Sequence, residues 1–115
     1  MDHRLEKALD FSNYLTTFYK QRDLLLEQLK EETVHYHNGG KFTITQELIN
    51  YCHLSTKTSQ SVVLLDDNNL PIKVDDIQKF YNKILTTYQT ACESYYNSYE
   101  ELQKERSTES LIADE

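Results

Sequence analysis

Ile77, Tyr81, Ile84, Tyr88, Ala91, Tyr95, Ser98 and Leu102 recur at alternating spacings of four and three. Residues spaced this way lie along one narrow seam of a long helix. Such a seam needs a second long helix to cover it, and residues 2–37 offer one. That stretch has no Gly or Pro and carries Leu5, Ala8, Leu9, Leu15, Phe18, Tyr19, Leu25, Leu26, Leu29 and Tyr36 close to helical spacing. Arg22 interrupts the stripe, with methylenes able to lie on the seam and a guanidinium that reaches water. The expected fold is α+β and predominantly α. Two long antiparallel helices are joined by a small β-patch of strand, short helix and β-hairpin.

The punctuation between the helices supplies the patch. Asn38-Gly39-Gly40 is read as the end of the first helix, because Gly accepts the left-handed cap. Lys41 to Ile44 alternates and predicts a strand. Thr45 then has the form of an N-cap, with Ile44 before it and Ile49 inside the helix as a hydrophobic staple. That short helix fades near Leu54, and Ser55 to Ser61 reads as a loop. Val62–Leu65 and Leu70–Val74 flank Asp66-Asp67-Asn68-Asn69 and predict a β-hairpin, with Pro71 on an edge. A three-stranded patch of Phe42–Ile44 and these two strands would close one end of the helix pair. Asp75 or Asp76 caps the last helix, with Gln78 placed to answer Asp75 in a capping box. That helix is expected to reach about Arg106. The domain reading is one helical-hairpin domain over 1–106, a β insertion at 41–74, and an acidic flexible tail over 107–115.

The formal net charge is −7, from 19 acids and 12 bases. This weakens a nucleic-acid-binding role, which rests on cations that neutralise phosphates. The acid surplus gathers late in the chain, where Glu93, Glu100, Glu101, Glu105, Glu109, Asp114 and Glu115 meet only Lys104 and Arg106. Cys52 and Cys92 are the only cysteines and lack CxxC spacing, which suits packing thiols in a reducing cytoplasm. No apolar run approaches membrane-spanning length, and the charged start MDHRLEKALD is unlike a secretory signal. A soluble cytoplasmic protein without a membrane partner is expected.

The candidate sites are few. His35, His37, Cys52 and His53 carry zinc-ligand chemistry. On a helix, however, His35 and His37 point about 200° apart, and no second Cys lies near Cys52, so no metal is expected. Asp66–Asn69 resembles part of a calcium loop, but Leu70-Pro71 follows it where an EF-hand needs its central Gly and closing Glu. A hairpin turn explains it better. Tyr81, Tyr88 and Tyr95 read as core. Tyr96 and Tyr99 lie off the seam, toward Cys92, and aromatic exposure is enriched at protein interfaces. The first helix has apolar groups on two sides, Leu5–Leu15–Leu26 and Phe11–Phe18–Leu25, and one partner helix cannot cover both. The expected interaction surface is therefore Tyr96, Tyr99, Phe11 and Phe18, with a homo-oligomer as the expected state. No catalytic motif, phosphate-cradling loop or dinucleotide fingerprint is present in the sequence, so neither catalysis nor a cofactor is expected.

The stretches MDHRLEKALDFSNYL, HNGGKFTITQELINYC and DDNNLPIKVDDIQKFYNKIL resemble a small uncharacterised protein family of contractile-tailed marine bacteriophages that infect cyanobacteria. The resemblance covers nearly the whole chain and carries over no functional residues. It implies a place in an infected bacterial cell or its virion. The resulting expectation is a non-enzymatic protein–protein interaction, assembly or accessory protein. The alternative is a nucleic-acid-associated protein, or an acidic decoy for a DNA-binding partner. A small hydrolase built on His35, His37 and His53 is a third reading, which metal analysis would separate from the others.

Overall fold

The computed structural model describes residues 3–114, with side chains for 3–105. The order is α1 (His3–Glu32), β1 (Val34–His37), β2 (Gly40–Thr43), α2 (Gln46–Thr56), β3 (Val62–Leu65), β4 (Pro71–Val74) and α3 (Ile77–Asp114). The fold is α+β and mostly helical, with two long helices joined by a β-patch. The patch is not the three-stranded sheet that the alternation predicts. It is two separate antiparallel hairpins, β1–β2 and β3–β4.

The first difference begins at the end of α1. The spacing carries that helix to His37, but the backbone leaves it at Glu32. Thr33 is buried, and its hydroxyl donates to the Leu29 carbonyl at 3.0 Å. The next residues, Val34 to His37, pair with Thr43 to Gly40 as a hairpin. Its turn is Asn38-Gly39, with φ of 47° and 80°. Two positive φ values are what a type I′ turn requires, and Asn-Gly is the dipeptide that supplies them most readily. Gly39 therefore makes a hairpin turn and not a helix cap. Gly40 has a different reason: a Cβ there would lie 2.7 Å from Ile72 Cγ1, so only Gly lets β2 approach β4.

Other local expectations are met. The Thr45 hydroxyl accepts the Leu48 N–H at 3.1 Å, and Ile44 and Ile49 are both buried. The β3–β4 register pairs Val62 with Val74 and Leu65 with Pro71. Asp76 Oδ1 accepts the Lys79 N–H at 3.1 Å, which makes Asp76 the cap of α3. Gln78 does not answer Asp75, since its amide donates to Asn82 one turn on. The α3 backbone runs to Asp114, past the end expected near Arg106. The flexibility expected of 107–115 falls on residues whose side chains lie outside the described set.

The chain divides into two compact units. The globular unit, Leu29–Cys92, holds Phe42, Ile44, Ile49, Cys52, Leu64, Val74, Ile77, Phe80 and Ile84 in one buried cluster. Its two hairpins are latched by Asp67. That carboxylate accepts the Thr43 N–H at 2.9 Å and the Thr43 hydroxyl at 2.6 Å, while its own N–H donates to the Lys41 carbonyl. The helical unit consists of the residues up to Gln28 and from Glu93 onward.

Candidate functional site

In the helical unit a ring contact joins α1 and α3. Phe18 meets Tyr99 edge-on at 6.0 Å between centroids. A groove of about 820 Å³ is lined by Tyr14, Leu15, Phe18 and Tyr19 of α1 and by Glu100, Gln103 and Lys104 of α3. The chain leaves this unit after Gln28 and returns to it at Glu93, as the antiparallel helix pair expected from the sequence requires. The half-buried row of α1 is Leu15, Phe18, Arg22 and Leu25, again at spacings of three and four, with the exposed Phe11 one step before it. On α3 the end of the C-terminal heptad stripe is Tyr95, Ser98 and Leu102, of which Leu102 is buried and the other two are half-buried, and Tyr99 beside them makes the ring contact with Phe18.

Of the four residues expected to form an interaction surface, Phe18 and Tyr99 are half-buried against each other inside the unit. Phe11 and Tyr96 are exposed. Phe11 stacks on Tyr14, and the Tyr96 hydroxyl donates to Glu100 Oε1 at 2.8 Å. That bond to a carboxylate holds the Tyr96 phenol above its ordinary range. Arg22 is half-buried on α1. Its guanidinium lies 4.8 Å over the Tyr19 ring and bonds Asp23 at 3.0 Å, a cation–π contact.

A second row on α1 is the part of the surface that single-residue inspection misses. Leu5, Leu9, Ser12, Thr16 and Tyr19 also recur at four and three, and every one of them is exposed. No residue of α1 is buried at all. The Thr16 hydroxyl donates to the Ser12 carbonyl, so the polar centre of this row is already bonded within the helix. The signal was present in the Leu5–Leu15–Leu26 side of the first helix, but the row that stays exposed passes through Leu9 and Tyr19 instead.

The globular unit holds the other candidate chemistry. On β1, His35 and His37 are two residues apart and therefore share one face of the strand, contrary to their divergence on a helix. Their rings stack at 6.2 Å, and each meets the edge of Phe80 at 5.3 Å. Burial, with the nearby His37 and Lys83 adding to it, lowers the His35 pKa. His53 packs instead on Tyr81, at 5.2 Å, so the three histidines do not form one site. Among the described residues, no group of three or more His, Cys, Asp or Glu is placed to hold a metal ion. Cys52 is buried, and burial pushes its thiol up to about 11, which leaves little thiolate at neutral pH. Asp66 Oδ1 accepts the N–H groups of Asn68 and Leu70. These bonds make Asp66–Asn69 a turn held by its own side chain, as expected.

No helix among the described residues is long and apolar enough to cross a membrane. No protein-family model, curated protein or solved structure matches the chain.

Proposed function

We propose that this chain is a non-enzymatic interaction protein, an assembly or accessory factor of bacteriophage origin that works in the host cytoplasm. The globular unit acts as a folded anchor, and the helix pair presents the contact surface. One observation carries this reading: α1 is helical from His3 to Glu32 without a single buried residue. In water, a helix of this kind gains most of its stability from packing an apolar face, and intrinsic propensity contributes less. Leu5, Leu9 and Tyr19 are apolar groups at heptad spacing that the helix pair itself leaves uncovered. A decoy role is favoured only by the acid run Glu93, Glu100, Glu101 and Glu105 on α3, of which all but the half-buried Glu100 are exposed.

Site-specific photocrosslinking in the cells that make the protein tests this reading. A photoreactive side chain at position 9 is expected to give a discrete covalent adduct. The same group at Thr58, in the exposed loop after α2, is expected to give none. Adducts at 58 alone would move recognition to the globular unit, and the absence of adducts at both would reject an interaction role.

A further inference from the structure

Each long helix carries two rows in the helical unit, and in both cases the second row is the first displaced by one residue. On α1, Ser12, Thr16 and Tyr19 follow Phe11, Leu15 and Phe18. On α3, Tyr96, Tyr99 and Gln103 follow Tyr95, Ser98 and Leu102. One residue is about 100° of helix rotation. Two antiparallel helices facing each other are related by a twofold axis perpendicular to both. Equal displacements along the chain therefore turn both second rows to the same side of the pair. The helical unit thus has one broad face, made of Leu5, Leu9 and Tyr19 from α1 and Tyr96 from α3, with the half-buried Tyr99 at its inner edge against Phe18. Neighbouring rows about 90° apart are what each helix of a four-helix bundle needs, since each one touches two neighbours.

From this geometry we infer that the occupant of that face is a second copy of the same chain, and that the two helix pairs close into a four-helix bundle. The inference rests on the interaction reading above and names its partner. Size supports it. Leu5, Leu9, Tyr19 and Tyr96 are 52%, 46%, 48% and 58% exposed. At on the order of 100 Å² of open surface each, these four offer about half of the roughly 800 Å² per partner of a stable interface, and Ser12, Thr16 and Gln103 extend the patch between them.

Charge fixes the arrangement. Over 3–28, Arg4, Lys7, Lys20 and Arg22 balance Glu6, Asp10, Asp23 and Glu27. Over 93–105, Glu93, Glu100, Glu101 and Glu105 meet only Lys104. Stacking α3 on its own copy would bring two acidic helices together. Stacking α1 of one copy on α3 of the other sets a balanced helix between two acidic ones and leaves the α3 helices diagonal. The twofold axis of the dimer then runs parallel to the helices, and the contact is isologous.

Light scattering on the purified full chain is expected to give twice the 13.6 kDa of one copy, and Leu9→Glu with Tyr19→Glu is expected to return it to one. A monomer mass for the unaltered chain at tens of micromolar would overturn the inference. If position 9 still cross-links a different protein in cells, the interaction reading survives that result. If it does not, both fall. Disulfide trapping tests the arrangement in a background with Cys52→Ser and Cys92→Ser. A copy with Tyr19→Cys mixed with a copy with Tyr96→Cys is expected to form the mixed disulfide. A Tyr19→Cys homodisulfide, or no disulfide in a dimer of the expected mass, would overturn the pairing of α1 with the second copy's α3. The globular unit serves as the folding control, read from the protection of the buried Cys52 thiol against alkylation in the variants that keep it and from the denaturant midpoint in the Cys52→Ser background.

Discussion

The two units solve the burial problem differently. The globular unit is assembled from short pieces, none longer than the eleven-residue α2 except where the long helices enter it. Yet it buries Phe42, Val74, Ile77, Ile84 and Cys52 almost completely. The heptad stripe is split between the units: Ile77 to Ala91 belong to the globular unit, where Ile77, Ile84 and Ala91 are buried, whereas among the described residues of the helical unit only Leu102 is buried. Regular spacing therefore announces where a helix could be covered. Whether it is covered depends on how many layers surround it, and a pair of helices gives each only one neighbour. The globular unit closes on itself because its two hairpins, α2 and the start of α3 all contribute to one buried cluster, in which the Phe80 ring meets Phe42, His35 and His37. The helix pair has a second face that it cannot fill alone.

This contrast is sharpest in what mutations should do. Phe80→Ala removes a ring that touches Phe42, His35 and His37. It is expected to cost about 3–5 kcal/mol, read as a drop in the denaturant midpoint. A loss below about 1 kcal/mol would mean that the unit's core is not centred there. Gly40→Ala places a Cβ against Ile72 and Asp66 and is expected to cost about 1–3 kcal/mol as overpacking. If it were neutral, the two hairpins would not be held as closely as described.

The His35 contribution is smaller and depends on pH. Its pKa is lowered from 6.5 by burial first, then by His37 and Lys83. The unfolded chain therefore binds the proton more readily, and stability rises with pH through that window. The contribution is complete above the ordinary value of 6.5 and fades as pH falls through the lowered one. Unfolding midpoints measured between neutral and mildly acidic pH should show a shallower slope for His35→Gln than for the unaltered chain. Identical slopes would place the pH dependence elsewhere.

At the far end of the scale, Leu9→Ala should change the stability of the isolated chain by no more than about 0.5 kcal/mol, as for other surface positions. The same substitution should weaken self-association measurably by sedimentation. A large stability loss with unchanged association would mean that Leu9 is core and not contact surface.

The sequence made the long helices legible because a heptad stripe survives any change in what covers it. The caps were readable too: Thr45 and Asp76 act through bonds to N–H groups three residues away, which spacing alone specifies. The β-patch was harder. Val34 to His37 continues the apolar and polar rhythm of the helix before it, and only the Asn-Gly turn with Thr33 and Val34 marks the change of period. A helix cap at Gly39 would leave no β1, and β2 would then have only β3 and β4 as neighbours, whereas the Asn-Gly turn gives β2 its partner in β1. The same cap would separate His35 from His37. At the candidate surface, Phe18 and Tyr99 are expected from the sequence to meet a partner, and in the structure they face each other. Exposure depends on the angle between rows on two helices, and that angle appears only when their facing side is known.

Hydrogen exchange across a dilution series is the most direct test of the central contrast, that one unit is covered by its own fold and the other by a second copy. Amides of α1 from His3 to Gln28 should lose protection as the chain is diluted through its dissociation range, while those of Leu64, Val74 and Ile84 stay unchanged. Equal, concentration-independent protection in α1 would show that the helix pair is stable alone, and the account of its open face would be wrong.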